Sequence, residues 1–346
     1  MQDSIASLAP HARAAGFAGQ RLAVFPYFMR GVSNTPSVYR TVYCSSPDYT
    51  SDEAIFFFLC AYPTAKVTGI AQQRIYSCGT GERRKNMSNN YEQNQTGNRE
   101  DHQLQLAEEN FIQQLSMFGM TLSSSQLEKF RRYYENLVKV NEVMNLTTIT
   151  EEKEVYSKHF LDSLSIVGLI PPRDFVNLSV IDIGTGAGFP GLPLAIAFPQ
   201  TQVTLVDSLQ KRVKFLEETV QLLGLENVHI FHARAEDYAR IETEREKYDI
   251  AVSRAVAKLN VLAEYCMPFV KKGGYFIAYK AEKIKEEMDE GKKAVKILGG
   301  RVDQVISFQL PGTDYNRTLV QVIKEKHTSG KYPRKAGTPA KDPLGT

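Results

Sequence analysis

Between Val180 and Gly191 the chain reads Val-Ile-Asp-Ile-Gly-Thr-Gly-Ala-Gly-Phe-Pro-Gly. The apolar start has the pattern of a buried parallel strand. Gly184, Gly186 and Gly188 then fall at every second position. Without a Cβ they let the backbone turn sharply and approach a ligand closely. Pro190 to Phe198 follows as a helix start, with proline tolerated in the first turn. Strand, glycine turn and helix together bind nucleotides at the strand's carboxyl end. An acid ending the next strand can accept from both ribose hydroxyls, and Asp207 holds that position. Ala235-Glu236, after the third strand, is placed to clasp an adenine.

The loop alone leaves the nucleotide open. Gly184-x-Gly186-x-x-Phe189 lacks the third glycine of the dinucleotide fingerprint. Gly186-x-Gly188-x-x-Gly191 has it, but starts two residues beyond the expected strand end. No GxxxxGK[ST] occurs, which excludes a P-loop. S-adenosylmethionine carries no phosphate and asks for close backbone approach instead of an anion cradle. It and a nicotinamide dinucleotide are the two candidates.

The elements that must hold these residues follow from periodicity. From Leu178 onward strands and helices alternate. Strands are expected at Val203–Val206, Val228–Phe231, Tyr248–Ser253 and Tyr275–Lys280. Helices are expected at Lys211–Leu223, Lys258–Val270 and Glu282–Leu298, and Arg301–Leu310 with Thr318–Lys324 closes the sheet as an antiparallel pair. Alternating βα units imply a parallel sheet with right-handed crossovers. Ahead of it, Leu104–Phe118, Gln126–Asn141 and Glu151–Ile170 show helical faces, the last stopped by Pro171-Pro172. The expected domains are an α-helical cap over 101–172, a ligand-binding α/β domain over 173–326, and a basic tail over 327–346. Residues 1–100 form no core pattern. Met1–Arg40 superficially suits a transit peptide, Ala54–Tyr62 suits one strand, and Lys85–Asp101 reads as a polar linker. Met87 is the expected start of the functional protein, what precedes it being an extension or a start-site artefact.

The chain has 346 residues, 42% of them hydrophobic, and a net charge of only +3. Whole-protein charge therefore announces no nucleic-acid partner. The cysteines, Cys44, Cys60, Cys78 and Cys266, form no CxxC pair. That argues against a zinc site or a disulfide framework, so no metal is expected, and it fits a reducing compartment. The longest apolar run, Ala54–Tyr62, is too short to span a bilayer.

From about Leu104 onward the chain resembles the RsmG (GidB) family of bacterial small-subunit rRNA methyltransferases. The resemblance rests on separated stretches: Asn145-Leu-Thr, His159-Phe-Leu-Asp-Ser-Leu, Asp182 to Gly191, Val206-Asp-Ser with Lys211-Arg212, Arg234-Ala-Glu, Ser253-Arg-Ala-Val-Ala, and Tyr332-Pro-Arg-Lys-Ala-Gly-Thr-Pro. It implies a class I methyltransferase fold, Rossmann-like, with a mostly parallel seven-stranded sheet, a terminal antiparallel hairpin and the α-helical cap in front. It implies S-adenosylmethionine as cofactor, 16S rRNA or the small ribosomal subunit as partner, and N7 methylation of a guanine in the 530 loop. Carried over to matching positions, the family's cofactor contacts are Gly184, Phe189, Ala235, Glu236 and Arg254; Asp207 joins them as the ribose acceptor. A cytoplasmic, monomeric enzyme is expected. The rivals are a small-molecule or protein methyltransferase on the same fold, a nicotinamide-dependent oxidoreductase, and a non-catalytic RNA-binding protein.

Guanine N7 carries an in-plane lone pair, so attack on a sulfonium methyl needs no general base. It needs no covalent nucleophile either. Cys266, inside an apolar helix, is expected to be a small buried residue. Catalysis by positioning is expected, with no named catalytic residue. His159 is expected to be a structural histidine. Lys331, Arg334, Lys335 and Lys341, interleaved with proline and glycine, suit an unfolded arm laid along phosphates.

Overall fold

The computed structural model describes residues 104–254, 256–281 and 284–346, together with the backbone of two short strands nearer the N-terminus. The chain divides into two units, residues 1–84 and 85–346. In the first, β1 (Thr41–Cys44) pairs antiparallel with β2 (Ile55–Phe58). The strand expected at Ala54–Tyr62 is thus Ile55–Phe58. The transit-like segment, the linker and the start at Met87 lie outside the described residues.

In the second unit the cap opens with α1 (104–117) and α2 (Ser124–Met144). Ser123 caps α2. Its hydroxyl accepts the Gln126 N–H, and the Gln126 side chain accepts the Ser123 N–H at 2.8 Å. This reciprocal capping box satisfies two otherwise orphaned donors. The helix expected at Glu151–Ile170 is not continuous. α3 (Glu152–Val155) widens into a π-helical stretch, Tyr156–Leu161, and tightens again into α4 (Asp162–Leu164). Such widenings occur often at functional sites.

Phe111, Phe130, Tyr133, Tyr156 and Phe160 form the cap's buried aromatic core. Paired ring centroids in this cluster lie 5.0–6.3 Å apart, in the tilted and edge-on arrangements that the ring quadrupoles favour. Tyr133 also donates its hydroxyl to the Ala187 carbonyl of the glycine loop and stacks on Phe189 at 5.4 Å. The cap therefore touches the loop directly, and it is not an independent appendage.

The α/β part holds a seven-stranded sheet in the order β5-β4-β3-β6-β7-β9-β8. The strands are β3 (Ser179–Ile183), β4 (Gln202–Asp207), β5 (Val228–His232), β6 (Tyr248–Arg254), β7 (Val270–Lys280), β8 (Gly300–Gln309) and β9 (Asn316–Lys324), and the helices between them include α5 (Gly191–Ala197), α6 (Gln210–Leu223) and α9 (Lys285–Ile297). β3 to β7 are parallel, and β9 is antiparallel to both β7 and β8. This is the class I methyltransferase fold. Its strand order reverses between β3 and β6, which opens a crevice at their carboxyl ends. Lys272-Gly-Gly forms a bulge inside β7, where pairing to β6 jumps from Val270 to Tyr275. The preceding helix, α8 (Leu259–Cys266), stops four residues short of its expected end, because Pro268 cannot continue the helical ladder.

The tail is a correction to the sequence expectation. It is not an unfolded arm. Tyr332, Pro333 and Pro339 are buried, and Thr338–Lys341 forms the short helix α10. Composition alone hid the partners, which are Arg240 and Arg245 from distant loops and Glu264 of α8. Arg245 donates to the Tyr332 carbonyl at 2.9 Å, Arg240 to that of Pro333 at 2.6 Å, and Glu264 binds Arg334 at 2.8 Å.

Candidate nucleoside-binding site

β3 ends at Ile183, and the loop turns through Gly184, Gly186 and Gly188 at φ of +71°, +64° and +102°. L-residues with a side chain rarely adopt those angles. At Gly184 a Cβ would also lie 2.8 Å from Val256 Cγ2. At Gly188 it would lie 2.5 Å from Leu192 Cδ1 and 2.8 Å from the Tyr133 hydroxyl.

The loop's backbone donors are spent inside the protein. The Gly184 and Thr185 N–H groups donate to the Val206 carbonyl at 2.9 and 3.3 Å. Those of Gly188 and Phe189 donate to the Thr185 carbonyl at 3.0 and 2.9 Å. Gly186 donates to Asp207 Oδ2 at 2.9 Å and Gly191 to Asp182 Oδ2 at 2.8 Å. A pyrophosphate needs convergent unpaired N–H groups at the loop and helix start. This loop, with six of its donors already engaged, does not present them.

Asp207 ends β4, 3% exposed. Its Oδ1 accepts the Leu209 N–H at 2.9 Å, and Arg212 lies 3.4 Å from Oδ2. An ionised carboxylate has about four acceptor positions; Gly186, Leu209 and Arg212 take three, which leaves one on Oδ1 for a ribose hydroxyl and a second on Oδ2 if the 3.4 Å Arg212 contact gives way. Ala235 and Glu236 open α7 (Ala235–Tyr238) beyond β5. Glu236 is buried, and its Oε1 accepts the Gly337 N–H at 2.8 Å. Gly184, Asp207, Ala235 and Glu236 line one cavity of about 260 Å³ with Ile183, Val206, Ser208, Ala233, Arg234, Val256, Tyr265 and Gly337. Four of the six residues singled out in the sequence therefore meet in one place.

The other two, Phe189 and Arg254, do not line that cavity. They meet in an adjoining cluster under the cap. The Arg254 guanidinium lies 4.9 Å from the Phe189 ring centre and 2.9 Å from Asp162 Oδ2, and it donates to the Lys158 carbonyl at 3.0 Å. Arg317 binds the other Asp162 oxygen at 2.9 Å. The His159 ring stacks on Phe189 at 4.4 Å between ring centres. Its Nε2 meets the Thr147 hydroxyl at 3.0 Å and its Nδ1 meets Arg254 at 3.2 Å. Burial and the neighbouring Arg254 push its pKa down to about 3, so the ring is neutral at physiological pH. Both ring nitrogens are thereby partnered, as a structural histidine requires.

Sequence reasoning gave no role to several residues that build this site. Asp182 sits on β3, fully buried; Oδ2 holds Thr185 and Gly191, while Oδ1 has no partner. Burial raises its pKa to about 7. An acid inside an apolar strand was the available signal. Gly337 and Tyr265 complete the cavity wall from the tail and from α8; Gly337 lies in the family-like stretch Tyr332 to Pro339, and no local pattern marks Tyr265. Cys266 is fully buried as expected, and burial raises its thiol pKa well above the ordinary value.

The sequence profile of the GidB family, rRNA small subunit methyltransferase G, matches residues 126–319. A relative from Exiguobacterium sibiricum named ribosomal RNA small subunit methyltransferase G is 49% identical over 239 residues, 69% of this chain and 99% of that protein. Relatives of the same name from Ligilactobacillus salivarius and Lachnoclostridium phytofermentans are 49% and 50% identical, with 98% and 96% of their lengths covered.

The chain belongs to the GidB family.

The matched span takes in every residue of the cavity except Gly337. It also takes in the cluster of His159, Asp162, Phe189 and Arg254.

Proposed function

We propose that this protein transfers a methyl group from S-adenosylmethionine to N7 of a guanine in the 530 loop of 16S rRNA. The observation that carries the choice of cofactor is that six of the glycine loop's N–H groups are already engaged beside an acid. A dinucleotide would have to break those bonds or leave its pyrophosphate unmatched. A phosphate-free nucleoside asks only for close approach and for the Asp207 carboxylate. Family membership supports small-subunit rRNA as the substrate.

In this assignment Asp207 accepts from the ribose hydroxyls, Ala235 and Glu236 flank the adenine, and Gly184 admits the cofactor against the end of β3. Phe189 and Arg254, beside the loop, brace the adjoining end of the site against the cap. When bound, S-adenosylmethionine supplies an electrophilic sulfonium methyl group. The protein's own part is orientation, an effect worth up to about 7–11 kcal/mol in favourable cases. The neutral, doubly engaged His159 and the buried Cys266 thiol suit a reaction that needs neither a base nor a nucleophile. No helix among the described residues is long and apolar enough to cross a membrane. We place the enzyme in the cytoplasm with its ribosomal substrate.

Calorimetric titration tests the cofactor. The protein should bind S-adenosylhomocysteine and not NAD or NADP. Binding of NAD or NADP without S-adenosylhomocysteine would overturn the assignment.

A further inference from the structure

One ion pair joins the tail to α8, the helix that supplies Tyr265 to the cavity wall. Arg334 donates from Nε to Glu264 Oε1 at 3.0 Å, from Nη2 to Oε2 at 2.8 Å, and from its backbone N–H to Oε1 at 2.7 Å. Its Nη1 holds Asp342 at 2.9 Å. Glu264 lies on α8 and is 0% exposed, one residue before Tyr265 of the cavity wall. Three residues beyond Arg334, Gly337 both walls the cavity and donates to Glu236. Past Gly337 the chain packs closely again, since a Cβ at Gly345 would lie 2.4 Å from the Glu290 carbonyl oxygen.

We propose that Arg334 is a positioning residue for the cofactor: by pinning the tail to Glu264 it sets Gly337 against Glu236 and so fixes the adenine end of the cavity. This deepens, and rests on, the S-adenosylmethionine assignment above. Removing one partner of a buried, bidentate pair leaves the other charge uncompensated. With the Arg334 side chain gone, Glu264 keeps only the residue-334 N–H, and the tail beyond Pro333, where the Arg240 and Arg245 bonds end, loses its charged anchor. Gly337 then leaves the wall and Glu236 loses the N–H that fixes its carboxylate. Arg334 lines no cavity surface itself, so it acts through its neighbours, chiefly Gly337 and Glu236.

The test is calorimetric titration of S-adenosylhomocysteine into the full chain, as wild type, Arg334→Ala, Glu236→Ala and the double variant, with thermal unfolding followed in parallel. Arg334→Ala should weaken binding about tenfold or more, but by less than about twofold once Glu236 is already alanine. In methyl-transfer assays KM for the cofactor should rise while kcat at saturating cofactor holds. Wild-type affinity in Arg334→Ala, or losses that simply multiply in the double variant, would overturn the inference. If Arg334→Ala does not fold, Arg334→Lys keeps the cation without the fork and should lose about threefold; a lysine variant with wild-type affinity would overturn it equally. A wild-type protein without affinity for S-adenosylhomocysteine defeats the cofactor assignment and this inference together. A wild type that binds, with Arg334 variants that bind as well, defeats this inference alone.

Discussion

Replacing Asp207 by alanine separates ligand binding from local structure, because both roles meet on one carboxylate. The side chain is 3% exposed and accepts the Gly186 and Leu209 N–H groups, each at 2.9 Å. Deleting it orphans two donors. Leu209 is 44% exposed and water can replace its partner, and Gly186 is half-buried beside the cavity. The stability cost therefore falls at the lower end of the usual range, about 1–3 kcal/mol in all. For a domain of this size that is a fall in Tm of roughly 2–12 °C. The ribose hydroxyls lose a charged acceptor, worth about 1.5–3 kcal/mol, or roughly a ten- to hundred-fold weaker Kd for S-adenosylhomocysteine. Asp207→Asn keeps an oxygen for Leu209 but turns an amide NH2 toward the Gly186 N–H, so it should fall between wild type and alanine. Calorimetry reads the affinity and scanning fluorimetry the Tm. A folded Asp207→Ala protein with lowered Tm and undiminished affinity would refute the ribose role and leave Asp207 as a turn residue.

Three further outcomes are expected. At Gly191 a Cβ would lie 2.2 Å from Leu205 Cδ2 and 2.9 Å from Asp182 Oδ2. Gly191→Ala should therefore cost about 1–3 kcal/mol by overpacking in urea titration, and an unchanged midpoint would show that the helix and sheet can separate freely. Burial raises Asp182 to about pKa 7 from 3.8. Folding then takes up a proton between about pH 4 and 7, and the stability tied to that proton is lost as pH rises through this window, on the order of 4 kcal/mol. The wild type should accordingly lose Tm relative to Asp182→Asn as pH goes from 5 to 8, and a pH-independent difference would contradict the buried protonated acid. Cys266→Ala should leave methyl transfer intact, since the buried thiol takes no part in N7 chemistry; a folded variant that binds both substrates but transfers nothing would rule that chemistry out.

The parts of the site that were legible in the sequence are those built from consecutive residues. The glycine loop, Asp207 at the end of β4 and Ala235-Glu236 after β5 each follow from a strand ending where a turn begins, and the parallel sheet brings those ends together. Alternating βα periodicity carried the sheet and its antiparallel close. What was illegible depends on distant pairs. Arg334 and Glu264 are 70 positions apart, so a Pro- and Gly-rich basic segment looked unable to fold until its buried acid was located on α8. Arg254, expected just beyond a strand's carboxyl end, is the last residue of β6, paired with Tyr279. Its direction, toward Asp162 and the π-helical stretch of the cap, depends on a helix about 90 positions earlier in the chain. The π widening itself has no signature in Tyr156–Leu161, whose apolar spacing suits an ordinary helix.

Methyl transfer to 16S rRNA tests the central claim most directly. Small subunits and naked 16S rRNA from cells lacking this protein would be incubated with it and S-adenosylmethionine, and N7-methylguanosine would be mapped by borohydride and aniline cleavage. One new N7-methylguanosine in the 530 loop, weakened in the Asp207→Ala protein at limiting cofactor, is the expected result. A methyl group on another atom or outside that loop, or no transfer by a protein that binds S-adenosylhomocysteine, would contradict it.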